Sequence, residues 1–233
     1  MPFWVAGGIS TVIWGYSSTR FRTIREPLLA GYLIFTGALI GMCTVQPSDG
    51  TTAIVMAGLA GFGFGAPLIL IITGVQLSTP HSLIATATAV TTSSRAVAAT
   101  VFTAIYAAAL TSRLDGNIPR EVGRAAAAVG LAPASIPAFV KALASKDTEA
   151  LGSIPGVDPA VIAAGVVALK QALADSIRVV YIIAVPFGAL ACIACLFLGD
   201  LRKTMNYHVD APVEDLHAKH RHGEAPAPAA AQV

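Results

Sequence analysis

The sequence predicts an all-α, polytopic membrane protein, and three observations predict it. Of the 233 residues, 55% are hydrophobic and only 12% are charged, whereas a soluble domain carries about 25% charged residues. Mean hydropathy is +0.70. The charges are also unevenly placed, since Asp, Glu, Lys and Arg are all absent from 27–46 and again from 50–94. Uncharged apolar runs of about 20 residues match the hydrocarbon thickness at about 1.5 Å of rise per residue.

The elements follow in order. Residues 1–110 read as four transmembrane helices, at about 2–19, 28–45, 52–77 and 83–110. The link between the first two carries Arg20, Arg22 and Arg25, and a cluster of basic residues marks a cytoplasmic loop. The next connection holds Pro47-Ser48-Asp49-Gly50 turn chemistry, and the one after it holds Pro80. Alternation then places 111–176 outside, as an extracellular loop with six basic and six acidic residues. Alanine-rich stretches predict two short helices there, around 137–145 and 159–174, with Ile154-Pro155-Gly156 as a break between them. In the second, Val161, Ala164, Val167, Ala168 and Ala172 form a helical stripe. A final span at 177–199 leads into a cytoplasmic tail, 200–233, which opens with Arg202 and Lys203 and whose Ala/Pro-rich end predicts disorder. This topology has the N-terminus outside and the C-terminus in the cytoplasm.

Composition also excludes several function classes. No basic run is dense enough for nucleic acid, and the lipid bilayer is the expected surrounding. Cys43, Cys192 and Cys195 all lie in apolar spans and read as small hydrophobes, the C-x-x-C spacing of the last two notwithstanding. His217, His220 and His222 sit in the tail without cysteine partners, which reads as a solvated segment and not a metal site. No Ser-His-Asp, metal-ligand or paired-carboxylate arrangement is present in a plausible place, so neither enzymatic activity nor a cofactor is expected.

The candidate functional residues are polar groups inside apolar helices. Arg95 is the one charge well within a predicted span, and such charges usually face a bundle interior or water. Seventeen uncharged residues separate it from Arg113, about 26 Å of helix. Arg95 therefore has two readings, an anchor at the cytoplasmic boundary or a pathway residue. Thr88, Thr91 and Arg95 share one helix face by their i, i+3, i+7 spacing, which serves either packing or a substrate path. Gln76, near the cytoplasmic end of the third span, either contacts substrate or ties that region to the helix of Arg95. Tyr106, like Trp14, Tyr16, Phe62 and Phe64, offers an aromatic face to an apolar substrate or to packing. Gly61, Gly63, Gly65 and Pro67 predict a kinked helix, because the glycines do not share one face and Pro67 removes a helical hydrogen bond. No Asp or Glu lies in any span, so a proton carrier must be sought elsewhere.

Two motifs carry a family resemblance. Gly15-Tyr-Ser-Ser-Thr-Arg20-Phe-Arg22-Thr-Ile-Arg25 resembles a degenerate G-x-x-x-D-R-x-G-R-R loop of the major facilitator superfamily, with the acidic position missing. Gln76-Leu-Ser-Thr-Pro80-His-Ser-Leu83-Ile84-Ala-Thr86-Ala-Thr88, with Ser94-Arg95-Ala-Val-Ala-Ala99, resembles the Q-x-x-x-P-x-x-L-I-x-T-A-T and S-R-x-x-G-G pattern of fungal fourteen-helix facilitators. That branch contains trichothecene efflux pumps and siderophore–iron transporters. The long loop before the last helix is similar too. The resemblance implies the last five helices of the C-terminal half, a plasma-membrane location and proton-coupled export of small organic molecules such as toxins or drugs by alternating access. Siderophore–iron transport is the rival within the superfamily, and a non-transporting five-helix accessory or scaffold protein is the rival outside it. It further implies that about nine N-terminal helices of such a transporter are missing partners of this chain, as in a truncated gene product or an incomplete gene model. The small-molecule substrate is then expected in the full-length form.

Overall fold

The computed structural model describes residues 1–145 and 147–199. It places three helices in succession, α1 (Pro2–Phe21), α2 (Arg25–Thr44) and α3 (Gly50–Ser78). A single 3-10 turn at His81–Leu83 leads into α4 (Ile84–Ala128), and α5 (Ile136–Ser145), α6 (Thr148–Ser153) and α7 (Pro159–Leu196) complete the order. No strand occurs among the described residues, so the all-α class holds. The predicted tail, with His217, His220 and His222, lies outside the described residues.

Helices α2, α3, α4 and α7 are each long and apolar enough to cross a membrane. α1 forms where a span was expected but has no stretch as apolar as those of these four, glycine, serine and threonine being interspersed along it. Its polar side chains are placed inward: Ser10 and Ser18 are buried, and Ser10 Oγ donates to Gly7 O at 2.9 Å. The turn to α2 is tight. Arg22 takes a left-handed φ of 52°. Thr23 N–H bonds Ser18 O at 3.2 Å, and Ser18 Oγ donates to Thr23 O at 2.9 Å. Arg20, Arg22 and Arg25 are exposed around this turn.

α3 packs along both α1 and α2, which barely touch each other; α2 also packs along α7, and α7 along α4. The glycine run of α3 explains how one helix serves two neighbours. Gly61 and Gly65, four apart, face α1: a Cβ on Gly61 would strike the Phe3 carbonyl, and one on Gly65 would strike Ser10 Oγ. Gly63, between them, faces α2, where a Cβ would lie 2.5 Å from Phe35 N and 2.7 Å from Gly31 O. Gly31 answers from α2, where a Cβ would strike Ala66. The two-residue spacing that seemed to rule out a common face thus divides the glycines between two partners. α3 itself runs unbroken through Pro67 from Gly50 to Ser78. Small residues at such positions allow the backbone approach on which helix association in lipid relies.

The expected loop at 111–176 is a correction to the sequence reading. α4 does not stop near 110 but continues to Ala128, and α7 begins at Pro159 and runs without a break through 177. The second short helix and the final span are one rod. Charged residues end a span, and nothing about them ends a helix; the alanine-rich flanks have high helix propensity on both sides of the boundary. α4 has 45 residues and α7 has 38, about 67 and 57 Å at 1.5 Å per residue, well beyond the roughly 30 Å of hydrocarbon. Pro119 lies within α4 at an exposed position, where water can reach the carbonyl that its missing N–H leaves unbonded.

The projecting halves of α4 and α7 form, with α5 and α6, a small cap with its own core. Val122, Ala126, Leu131, Phe139, Val140, Leu143, Leu151 and Val161 are buried together, with Phe139 fully enclosed. Gly165 lets α7 lie against Phe139 and Leu143, where a Cβ would come within 2.7 Å of the ring. The buried stripe of α7 is therefore Val161, Gly165, Ala172 and Ser176, whereas Val167, expected on the stripe, is 68% exposed. A Schellman ending closes α4: Leu131 N–H bonds Ala126 O, Gly130 N–H bonds Ala127 O, both at 3.1 Å, and Gly130 takes φ 97°. Asp147 caps α6, its Oδ1 accepting from Glu149 N at 3.1 Å and Ala150 N at 3.0 Å. At the base of the cap Asn117 Nδ2 donates to Ser176 Oγ at 3.1 Å, and Arg178 pairs with Asp175 at 3.4 Å.

Two outcomes test these contacts. Gly61→Leu places a side chain where the Phe3 backbone already stands, so the thermal midpoint of the purified full-length protein in mild detergent is expected to fall. Overpacking of this kind costs about 1–3 kcal/mol. Gly58→Leu, at a position with open space around its Cβ, is the control expected to leave the midpoint unchanged. Phe139→Ala removes the centre of the cap core at a cost of about 3–5 kcal/mol. Amide hydrogen exchange is expected to accelerate across α5 and the first half of α7 while α1 and α3 keep their protection.

Candidate functional site

The site forms where α3 and α4 diverge. These two helices share only slight contact. At its cytoplasm-predicted end Gln76 Nε2 reaches Thr88 Oγ1 at 3.4 Å, a long hydrogen bond that ties α3 to α4 across the intervening turn. Further along, a cavity of about 620 Å³ opens between α2, α3 and α4, a size within the roughly 300–1,000 Å³ of small-molecule pockets.

Each wall comes from one helix face. α2 supplies Tyr32 and Phe35; α3 supplies Phe64, Pro67, Leu68 and Ile71; α4 supplies Thr92, Arg95, Ala99 and Phe102. Thr92, Arg95, Ala99 and Phe102 follow the i, i+3, i+7, i+10 progression of a single helix stripe. The aromatic walls are held by neighbours. Phe64 lies 5.6 Å from Phe3 and 6.1 Å from Phe35 between ring centroids. Phe102 meets Phe187 of α7 edge to face at 4.7 Å. Arg95 is about 16 Å along α4 from its start, on the α-helical rise, and among the described residues it has no salt-bridge partner.

The predicted candidates thus divide. Arg95 and Pro67 line the cavity. Thr91 does not, its Oγ1 being turned back to Ala87 O at 2.8 Å; Thr92, one residue on, takes that place. Gln76 and Thr88 form the tie described above and stand apart from the lining. Tyr106 stacks behind the wall, 6.0 Å from Phe102. Gly61, Gly63 and Gly65 lie in the packing of α3, and Arg20, Arg22 and Arg25 lie at the α1–α2 turn. Sequence reasoning missed Tyr32, Phe35 and Phe102. The signal available for Phe102 was its place seven residues from Arg95, on one helix face with it.

A second cavity, of about 380 Å³, lies between the start of α2, the end of α3 and Leu198, and no charged side chain lines it. The two α7 cysteines are part of packing: Cys195 is buried with Ala66 and Leu70, and Cys192 Sγ lies 3.9 Å from Thr36 Oγ1. No cluster of three His, Cys, Asp or Glu suited to a metal ion occurs among the described residues.

Comparison with known proteins matches this architecture to transporters. Residues 4–227 match the fungal trichothecene efflux pump family (TRI12). The trichothecene efflux pump TRI12 of Fusarium sporotrichioides is 25% identical over 218 residues, covering 92% of this chain and 36% of that protein. The MFS-type transporter prx5 of Penicillium rubens is 31% identical over 173 residues, covering 74% of this chain and 31% of that protein. The chain therefore spans about a third of the length of these relatives. No solved structure matches it. A family match over nearly every residue, joined to long apolar helices that pack through glycine, places the chain in the fungal trichothecene efflux pump family of major facilitator transporters, which are integral, multi-pass membrane proteins.

Proposed function

We propose that this chain supplies substrate-facing helices to a proton-coupled exporter of small organic molecules, with the cavity between α2, α3 and α4 as part of its binding site. The observation that carries this reading is the lining itself: four aromatic rings and one arginine around about 620 Å³. Apolar walls with a few polar groups are the usual make-up of small-molecule sites. The site performs no bond chemistry, because it needs only to hold a molecule while access alternates. The efflux names of the matched family and of the Fusarium relative support export over siderophore–iron uptake. The family match also weighs against a non-transporting scaffold.

In this reading the cap at 111–176 stands outside the cell, Arg20, Arg22 and Arg25 face the cytoplasm, and the protein works in the plasma membrane. The α1–α2 arginines support that orientation through the positive-inside rule. No Asp or Glu lies in 2–19, 27–46, 50–94, 96–112 or 179–199, so in this reading the proton carrier belongs to helices outside this chain. The missing N-terminal helices would supply it.

Ala99→Phe tests the site, since it fills the cavity from a position on α4 that is itself exposed. In an efflux-deficient yeast expressing the full-length protein, meaning the chain with any sequence its native transcript encodes upstream, growth on a toxin panel is expected to show resistance. Ala99→Phe is expected to abolish it at unchanged protein level. No resistance and no export of any compound by the wild type would refute the exporter reading, and undiminished export by Ala99→Phe would refute the site.

A further inference from the structure

We infer that Arg95 makes this site selective for amphipathic molecules bearing an anionic, acceptor-rich group next to an aromatic or polycyclic body. The inference rests on the cavity being the substrate site and adds the substrate's charge.

Three observations lead to it. The first is the sign of the wall. Among the described residues Arg95 is the only charged one lining the cavity, and no Asp or Glu accompanies it. The second is that Arg95, itself exposed, has no carboxylate partner among the described residues. Residues 50–94 are free of carboxylates, and the next acid along α4 is Asp115, about 30 Å away along the helix. A guanidinium at membrane depth is costly unless it finds an anion, a carbonyl or water. The third is the remaining polar chemistry: the other hydroxyl-bearing residues of the lining are Thr92 from α4 and Tyr32 from the facing α2. Hydroxyls can donate alongside the arginine, and no carboxylate lines the cavity among the described residues. Such a wall rewards a carboxylate, a sulfonate or an ionised enol and repels a cation. Arginine is suited to the task because its planar fork binds a carboxylate through two parallel bonds and also stacks on aromatic faces.

The same anionic chemistry has a second possible source, a carboxylate from the helices that complete the transporter. A ligand series separates the two. Pyrenebutyrate, pyrenebutanol and pyrenebutyl-trimethylammonium share one ring system and differ in charge, and their binding to the purified full-length protein can be followed by pyrene fluorescence. The wild type is expected to bind the carboxylate about tenfold more tightly than the alcohol, the scale of one hydrogen bond to a charged group, and the cation most weakly. Arg95→Gln is expected to weaken the carboxylate about tenfold while leaving the alcohol within about twofold. Arg95→Lys, which keeps the charge and loses the fork, should retain part of the preference. Equal binding of carboxylate and alcohol by the wild type would overturn the inference. So would Arg95→Gln weakening all three probes alike with a fall in thermal midpoint, the pattern of an arginine paired to a protein carboxylate. The underlying site has its own readout: if Ala99→Phe leaves every probe bound, the cavity is not the binding site, whatever Arg95 does.

Discussion

The structure depends first on how closely the backbone of α3 approaches its neighbours. Lipid gives no hydrophobic reward for bringing two apolar helices together, so association in a bilayer rests on close van der Waals packing and a few interhelical hydrogen bonds. α3 meets that requirement twice, with Gly61 and Gly65 against α1 and Gly63 against Gly31 and Phe35 of α2. Trp14 Nε1 adds a hydrogen bond to Phe62 O at 3.0 Å, anchoring α1 to the same stretch. The device recurs between α2 and α7, where a Cβ on Gly188 would come within 2.5 Å of Thr36 Oγ1. Small residues therefore run as a chain of contacts from α1 through α3 and α2 to α7. Displacing any one of them would separate helices whose mutual attraction falls off within about an ångström.

The cap obeys a different physics. Its residues carry charges that the apolar runs lack, and its apolar side chains are gathered inward around Phe139. That is the pattern of a water-facing core, stabilised by the removal of apolar surface from solvent. The consequence reaches the membrane part. α4 and α7 enter the cap as its two longest elements, so whatever holds the cap together also holds these two rods at a fixed separation. The Asn117–Ser176 bond lies at the base of the cap. Below it, Phe102 and Phe187 continue the contact edge to face.

How much of this was legible follows from what each signal measures. Hydropathy and charge gaps located α2, α3 and the membrane part of α4, because a span is defined by the absence of charge. The same signal cut α4 near 110 and α7 near 177, where the helices leave the apolar stretch but their hydrogen bonding continues. The true end of α4 was written in Gly130 with Pro133 just beyond it, a stop signal of backbone geometry and not of polarity. The glycines of α3 were visible, yet their assignment to two partners needed the positions of α1 and α2. For the site, Arg95 stood out as a charge within an apolar run, but the stripe drawn through Thr88 and Thr91 is not the lining one, which passes through Thr92, Ala99 and Phe102. Tyr32 and Phe35 were not legible, because their role depends on which helix faces α4 across a gap, and that is set by tertiary packing.

The position of the cavity follows from the way α4 is attached. One end of α4 is tied to α3 by the short turn through His81–Leu83 and by Gln76 and Thr88. The other end is built into the cap and through it into α7, which rests on α2. Between these two attachments α3 and α4 are free to part, and Arg95, Thr92 and Phe102 stand along that unattached middle. A helix fixed at both ends widens such a gap by tilting about one of them, and the turn after α3 is the end with fewer contacts. Phe102 meets Phe187 and α4 shares the cap core with α7, so α4 is held to α7 both beside the cavity and in the cap. α4 is thus joined to α7 and the cap, α7 is in turn packed on α2 through Gly188 and Thr36, and the cavity lies within one connected bundle.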